Sequence, residues 1–490
     1  MDDRLVLGID VGSSSAKGVL ATADGRIIHR AAIPQTVDRP GLGHVEQSPD
    51  QWWEALRRLV RSTIGRSAGA EARPLAGLAI SGHFPTLVLA DGDGEPIVPA
   101  LLYADRRADG YVAQASEIAG WHLMGDELLP KLLWLRARRP DLLRRTRRVF
   151  NPQDHLVFRL TGNHLLDHRT AMRSGGLFDP AALAWRLDVA NDLGLAPDAL
   201  PELRRAGDIA GTVTSLAAAD LGLPPGTPVI LGLPDTPAAL LGAGVVHPGD
   251  VLVYYGTTTT VDVCTVAFED YLLDPSSIRE WGPYREVGYA VLGPALPWAA
   301  SGLRSVASRS GPDADLARLD RDAVMLGADP DGPYVLPHFM AHPRGDEPAL
   351  RPAIVGLDVT HDRAHLHRAL LESFGFTVRA GLEDADLTAF ARNFTAAGGG
   401  AASDAWRQIV SDVLGVEQVW AAASDGALGD AMLAAWATCG SDVFGPGRST
   451  WLGDLARTSP DDAASRVEAS RYTTWCRLRD ALTEVWRGPR

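Results

Sequence analysis

The chain has 490 residues, 46% apolar and 22% charged, with a formal net charge of -14. Its length exceeds one ordinary core, so two or more domains are expected, and the acidic balance argues against a nucleic-acid partner. Cys264, Cys439 and Cys476 form no disulfide or zinc spacing, and the absence of a basic leader or an apolar run of about 18 residues points to a cytoplasmic protein without membrane contact.

LVLGIDVG (5–12) is an apolar run that predicts a buried strand. Strand character continues on both sides of Asp24-Gly25, a hairpin turn signal. SPDQWWEALRRLVRSTI (48–64) predicts a helix: Ser48 can cap it, Pro49 suits its first turn, and Trp52, Leu56, Leu59 and Val60 share one face. LAGLAISG (75–82) and PVILGL (228–233) predict two further strands of parallel type. VHPGDVLVYYGTTTTVDVCTV (246–266) then repeats the strand, small-residue turn and strand of VLGIDVGSSSAKGVL. The alternation predicts an α/β layer protein. The division is placed between residues 1–246 and 247–490, as two halves closing on a shared cleft.

Several short stretches carry chemistry. In GIDVGSSSAK (8–17), Asp10 ends a strand, Gly12, Ser13 and Ser14 form the turn, and Lys17 follows. Small residues let backbone N–H groups approach phosphate oxygens, and a strand-end carboxylate can hold Mg²⁺. An ordinary hairpin loop uses the same residues. Lys17 and Lys131 are the lysines among 47 basic residues, so their positions carry information. YYGTTTT (254–260), with Gly256, Thr257 and Thr258, repeats the device and equally suits a threonine-rich strand. FTAAGGGAASDAW (394–406) sets Gly398, Gly399 and Gly400 before a helix capped by Ser403. Such a run can lie against a phosphate or a flat ligand, or serve as a flexible turn. SDGALGDAMLAAW (424–436) opens a small-residue helix at Asp425 and Gly426, suited either to phosphate or to close packing. HDRAHLH (361–367) places His361 and His365 on one helix face with His367 nearby, a metal-like spacing that lacks a further ligand.

LGLPDTPAALLGAG (231–244) sets Asp235 between two prolines, as a helix cap or as a catalytic base. Thr236 followed by Pro237 makes the better N-cap and first-turn pair, which leaves Asp235 just outside the helix.

IDVGSSSAK, GHVEQSPDQWW, PKLLWL, PDTPAALLGAG, YYGTTTT, GGGAASDAW and DGALGDA occur in this order. Together they resemble the FGGY carbohydrate kinases, above all the xylulokinase-like branch. The C-terminal signature of that family is similar over residues 352–372, at Gly356, Leu357, His365, Leu366, Ala369 and Glu372, with Pro352 replacing a small residue. The resemblance implies two actin-like, RNase H-type domains around a central cleft that holds ATP and sugar. It implies an N-terminal domain with the sugar site and the base, and a C-terminal domain for the nucleotide. Asp235 matches the family's general base, with Thr236 beside it; Asp105 and Arg107 match its sugar-contacting Asp-x-Arg. Asp10 is then the Mg²⁺ ligand. Gly12, Ser13, Ser14, Lys17, Gly256, Thr257, Thr258, Gly398, Gly399, Gly400, Asp425 and Gly426 are the ATP and phosphate contacts. A homodimer is common in such enzymes.

Three places depart from the family. His83-Phe84-Pro85 stands where xylulokinases carry Gln-Met-His, so His83 is expected to meet the sugar from a shifted position. Leu128 replaces a small hydroxyl residue three places before Lys131. The Gly-Glu-Arg-Thr-Pro loop expected near 338–348 reads HFMAHPRGDEP. The expected activity is transfer of the γ-phosphate of ATP to a hydroxyl of a ketose such as D-xylulose. The alternatives are a kinase for ribulose, glycerol, erythritol or a similar polyol, and an inactive sugar or nucleotide sensor on the same fold.

Overall fold

The apolar run near the N-terminus forms β1 (Leu5–Val11), every residue of it buried. Turns at Gly12–Ser14 and Asp24-Gly25 fold the chain back into β2 (Ser15–Thr22) and β3 (Ile27–Pro34), an antiparallel meander. Gly25 has φ +99°, the left-handed conformation such a turn needs. Helix α1 (Pro49–Ser67) buries Trp52, Leu56, Leu59 and Val60 against Leu7 and Ile9 of this sheet. Strand β4 (Leu75–Gly82) then pairs parallel with β1. After helices α2 (Leu128–Arg138) and α3 (Pro152–Thr161) and the edge strand β5 (Ile209–Thr212), β6 (Pro228–Pro234) pairs parallel with β4 and runs into α4 (Asp235–Gly242). The six-stranded sheet has the order β5-β6-β4-β1-β2-β3.

A second six-stranded sheet repeats this plan. Strands β7 (Asp250–Tyr255), β8 (Thr259–Cys264) and β9 (Tyr284–Ala290) form another antiparallel meander. After α5 (Arg363–Asp384), β10 (Asn393–Ala397) pairs parallel with β7, and β11 (Gln418–Ala421) follows α6 (Asp404–Leu414) and pairs parallel with β10. The chain next forms α7 (Gly426–Cys439), and β12 (Leu455–Thr458) closes the sheet antiparallel to β11. The order is β9-β8-β7-β10-β11-β12. Val251, Val253, Val261, Phe374 and Ile409 belong to its core.

The computed structural model describes residues 2–67, 74–256, 259–274, 276, 284–290, 296, 312–338 and 351–487. Among these, no helix is long and apolar enough to cross a membrane. The chain divides into two compact units. One comprises Met1–Val246, Val266–Pro283 and Ala423–Gly453; the other His247–Thr265, Tyr284–Ala422 and Asp454–Arg490. The expected linear division at 246/247 therefore differs from the spatial one. The first unit takes in two later segments, and the second of them carries α7, whose small residues let it lie backbone against backbone on the first sheet. A Cβ on Gly8 of β1 would stand 2.0 Å from the Ala427 carbonyl oxygen, and one on Gly429 of α7 would stand 1.9 Å from that of Ala238 in α4. The close-packing reading of SDGALGDAMLAAW is the one realised, with Gly426 through Ala435 all buried.

Candidate active site

The first unit brings its chemistry to one sheet edge. Register pairs Asp10 with Ser81 and Val11 with Gly82, and pairs Gly82 with Pro234. His83 and Asp235 are thus the residues that follow a matched pair of strand ends. Both leave the sheet beside Asp10, and His83 donates its backbone N–H to Val11 at 3.0 Å. These are the carboxyl ends of parallel strands, the edge where open α/β sheets bind ligands. Helix α7 starts at the same edge: a Cβ on Gly426 would stand 3.0 Å from Cγ of Asp10.

Three acids interact there. Asp10 is 8% exposed, and its Oδ1 has no hydrogen-bond partner among the described residues. Burial pushes its carboxyl up to about 7, and the charges of Asp235 and Asp425 add to the rise against the pull of Lys17. Lys17 stands directly across β2 from it. Asp235 keeps part of its surface open, yet the surrounding protein desolvates it enough to push its carboxyl up to about 6. Its Oδ1 accepts from the Thr236 backbone N–H at 2.7 Å and from the Thr236 hydroxyl at 3.5 Å. Asp425 caps α7 by accepting from Leu428 N–H at 2.9 Å and pairs with Arg30 at 3.1 Å.

Two local expectations change. Helix α4 begins at Asp235 itself, with Pro234 as its N-cap, so Thr236 is an exposed first-turn residue rather than the cap. Pro234, with φ -58° and ψ 161°, is the last residue of β6, and the helix starts two residues earlier than the Thr236-Pro237 pattern implies. The second change is Asp430, which the sequence reading passed over. It is fully buried in α7 and accepts from Ser81 N–H at 3.1 Å and from its hydroxyl at 2.6 Å. Burial holds its carboxyl well above the usual range, with the charge of Asp10 adding to the rise. An acid inside DAMLAAW was the available signal.

Next to these acids lies the segment after β4. His83 is 2% exposed. Its Nδ1 shares a 2.8 Å hydrogen bond with the Thr86 hydroxyl, and its Nε2 has no partner among the described residues. Burial, helped by the charge of Lys131, pushes its imidazole down to about 3, so the ring is neutral. The rings of Trp52 and Tyr103 meet it edge-on at 5.6 and 6.1 Å. Asp105 is fully buried and occupied: it accepts from Val45 N–H at 2.6 Å and from three nitrogens of Arg107 at 2.8 to 3.0 Å. Arg107 also donates to Glu46 at 2.6 Å and lies 5.3 Å over the Trp134 ring. Asp105 therefore holds Arg107 in place.

In the second unit, the glycine loop occupies the corresponding strand ends. Tyr254 of β7 pairs with Ala397 of β10, and Gly398 follows immediately. Gly398 has φ +90° and needs to be glycine; a Cβ on Gly400 would meet Trp406 at 2.3 Å. Gly399 differs, since no atom of the described residues lies within 4 Å of the place a Cβ would take. Ser403 caps α6 by accepting from Trp406 N–H at 3.1 Å and donates to Asp320 at 2.7 Å. Gly256 follows β7 directly, whereas Thr257, Thr258 and the segment 339–348 lie outside the described residues. His361 precedes α5 instead of lying on it, and His361, His365 and His367 each sit beside their own aspartate, Asp358, Asp362 and Asp320. Among the described residues, no three His, Cys, Asp or Glu side chains form a metal-holding group.

Comparison with known proteins agrees with this architecture. The N-terminal domain of the FGGY family of carbohydrate kinases matches residues 5–242, and its C-terminal domain matches residues 251–438. A xylulose kinase of Streptomyces rubiginosus is 32% identical over 456 residues, 89% of each chain. A glycerol kinase of Thermococcus gammatolerans is 28% identical over 438 residues, 84% of each. The crystal structure of xylulose kinase from Rhodospirillum rubrum superposes with a TM-score of 0.84 at 29% identity, covering 99% of this chain and 100% of that one.

Proposed function

The chain belongs to the FGGY family of carbohydrate kinases, and from that premise we propose that it transfers the γ-phosphate of ATP to a hydroxyl of a ketose of the xylulose type, with Asp235 as general base. The observation that carries this reading is the partly exposed carboxylate of Asp235 at the strand edge where β6 passes into α4, directly after the Gly82–Pro234 pair that His83 also follows. In the reaction, Asp235 takes the proton of the acceptor hydroxyl as its oxygen bonds to the γ-phosphorus. The bond from that phosphorus to the bridging oxygen breaks, and ADP leaves. A carboxyl at about 6 is ionised at neutral pH and still basic enough to accept this proton.

Kinases of this type work with Mg²⁺, which neutralises phosphate charge when bound. Asp10 is the residue that would hold it. Its buried, unpartnered Oδ1 and the acids around it favour a cation there. One carboxylate is enough, since Mg²⁺ keeps waters and takes its other ligands from phosphates. In the first unit, the Gly12–Ser14 turn, with Lys17 across from Asp10, is the backbone seat we assign to phosphate; in the second unit taken by itself, the Gly398–Gly400 loop is the one we assign to the nucleotide. The open space at Gly399 leaves room for a phosphate or the nucleoside to come against the main chain. Arg107, fixed by Asp105, and His83 are the residues we assign to acceptor hydroxyls.

The test is ADP release from ATP and Mg²⁺ across ketoses, aldoses and polyols, with Asp235→Ala as control. Release with D-xylulose that the variant abolishes supports the whole reading. Release with glycerol or another polyol instead keeps the mechanism and moves the acceptor. No acceptor-dependent release from any compound, with ATP still bound, overturns the assignment.

A further inference from the structure

Lys131 is unusual in two ways. It is one of two lysines in a chain whose other basic residues are arginine, and it lies fully buried in the middle of α2. A buried ammonium is costly unless its hydrogen bonds are met. Burial pushes Lys131 down to about 7, against the attraction of Asp126 and Asp105 and with the repulsion of Arg173 and Arg106. Its recorded hydrogen bond runs from Nζ to the carbonyl oxygen of Pro85, at 3.0 Å. A charged and a neutral amine both carry an N–H for this bond, so it persists on either side of that titration.

Pro85 lies in the turn between His83 and Thr86. Three fastenings hold this turn. Lys131 binds the Pro85 carbonyl, Asn151 accepts from the Thr86 N–H at 3.2 Å, and the Thr86 hydroxyl meets His83 Nδ1 at 2.8 Å. The free edge of the imidazole is then Nε2, the buried nitrogen without a partner. Buried ring nitrogens are rarely left unpaired, and His83 follows Gly82, the residue that pairs with Pro234 just before Asp235.

We propose that Lys131 is a positioning residue for the acceptor: by holding the Pro85 carbonyl it aims His83 Nε2 at a substrate hydroxyl. The inference rests on the kinase reading above, and it assigns Lys131 to acceptor recognition rather than to phosphate binding or to stability alone. Charge repulsion from Lys131 also favours the neutral imidazole, which keeps one ring nitrogen as donor and the other as acceptor.

The experiment is a double-mutant cycle on steady-state kinetics, with the acceptor found in the panel and with ATP varied separately. Lys131→Met keeps the volume and removes the donor. The expected result is a KM for the acceptor raised about tenfold, the scale of one lost hydrogen bond, with the KM for ATP within twofold of the parent. In a His83→Asn background, adding Lys131→Met should change the acceptor KM by less than twofold, because both act through the same ring nitrogen. An unchanged acceptor KM in Lys131→Met overturns the proposal. So do additive effects of the two substitutions, or equal rises in both KM values. Thermal unfolding of each variant shows whether it is folded, and Lys131→Gln takes the place of a Lys131→Met protein that is not. Failure of the kinase reading has a separate signature, since the parent protein itself would then release no ADP with any acceptor.

Discussion

The two sheets share one strand plan but arm it differently. In both, the first strand pairs antiparallel with the second, and two parallel strands continue the sheet on the other side. In the first hairpin, the pair next to the last before the turn is Asp10 with Lys17. In the second hairpin, the equivalent pair is Tyr254 with Thr260. One edge carries opposed charges and crowds further acids around them; the other presents an aromatic ring, a hydroxyl and a glycine loop. The plan places a ligand edge, and the side chains at that edge decide whether it handles cations and protons or a neutral surface with backbone donors.

The contrast can be broken most strongly at Asp235. Asp235→Asn should lower kcat by about 10² to 10⁴, the usual share of a general base, while nucleotide affinity from calorimetry stays within a few-fold. In the parent enzyme, the same residue sets an acid limb. Its carboxyl at about 6 lies above the ordinary aspartate value. Activity should therefore be full at neutral pH and fall about tenfold per unit once pH drops below about 6. A flat profile from pH 7 to pH 5 contradicts the role.

Asp10 gives a sharper contrast with its counterpart. Its folded-state carboxyl, at about 7, lies above the unfolded value of 3.8, so ionising it opposes folding. That cost is absent below about pH 4, grows between about pH 4 and 7, and is complete above about 7. Asp10→Asn should accordingly stabilise the protein by about 1 kcal/mol or more at pH 8 in chelator, lose that gain by pH 4, and abolish activity. Tyr254→Phe in the second hairpin should show no such pH-dependent gain. Melting temperatures at both pH values decide it.

The smallest change tests the glycine loop. Gly399→Val meets open space and should fold normally, while weakening nucleotide binding about tenfold by filling the approach to the main chain. Gly398→Val should instead lower stability, because Gly398 has φ +90°. Equal nucleotide affinity in Gly399→Val and the parent would reduce that glycine to a turn residue.

Much of this was legible in the amino-acid sequence, because it lay in local pattern. The apolar runs at 5–12, 75–82 and 228–233 are the three parallel strands of the first sheet, and the repeated hairpin marks the second. Asp235, His83 and the three glycines stand out in the sequence because strand ends and small-residue turns are short signals. Other features depend on tertiary partners far along the chain. Nothing near Asp425 indicates its pairing with Arg30, 395 positions away, and nothing near Asp430 points to Ser81, 349 positions away. The membership of α7 in the first unit was hidden for the same reason. Alanines and glycines report that something comes close, and not what.

The glycine seam under α7 also bears on how this enzyme can move. Where side chains separate two elements, rotamer changes allow them to slide past each other. Here carbonyl oxygens of α4 and α7 stand where methyl groups would be, leaving no side chain to readjust. Strand β1, α4 and α7 should therefore travel as one rigid block. Asp10, Asp235 and Asp425 ride on that block, so their mutual spacing is built in before any substrate arrives.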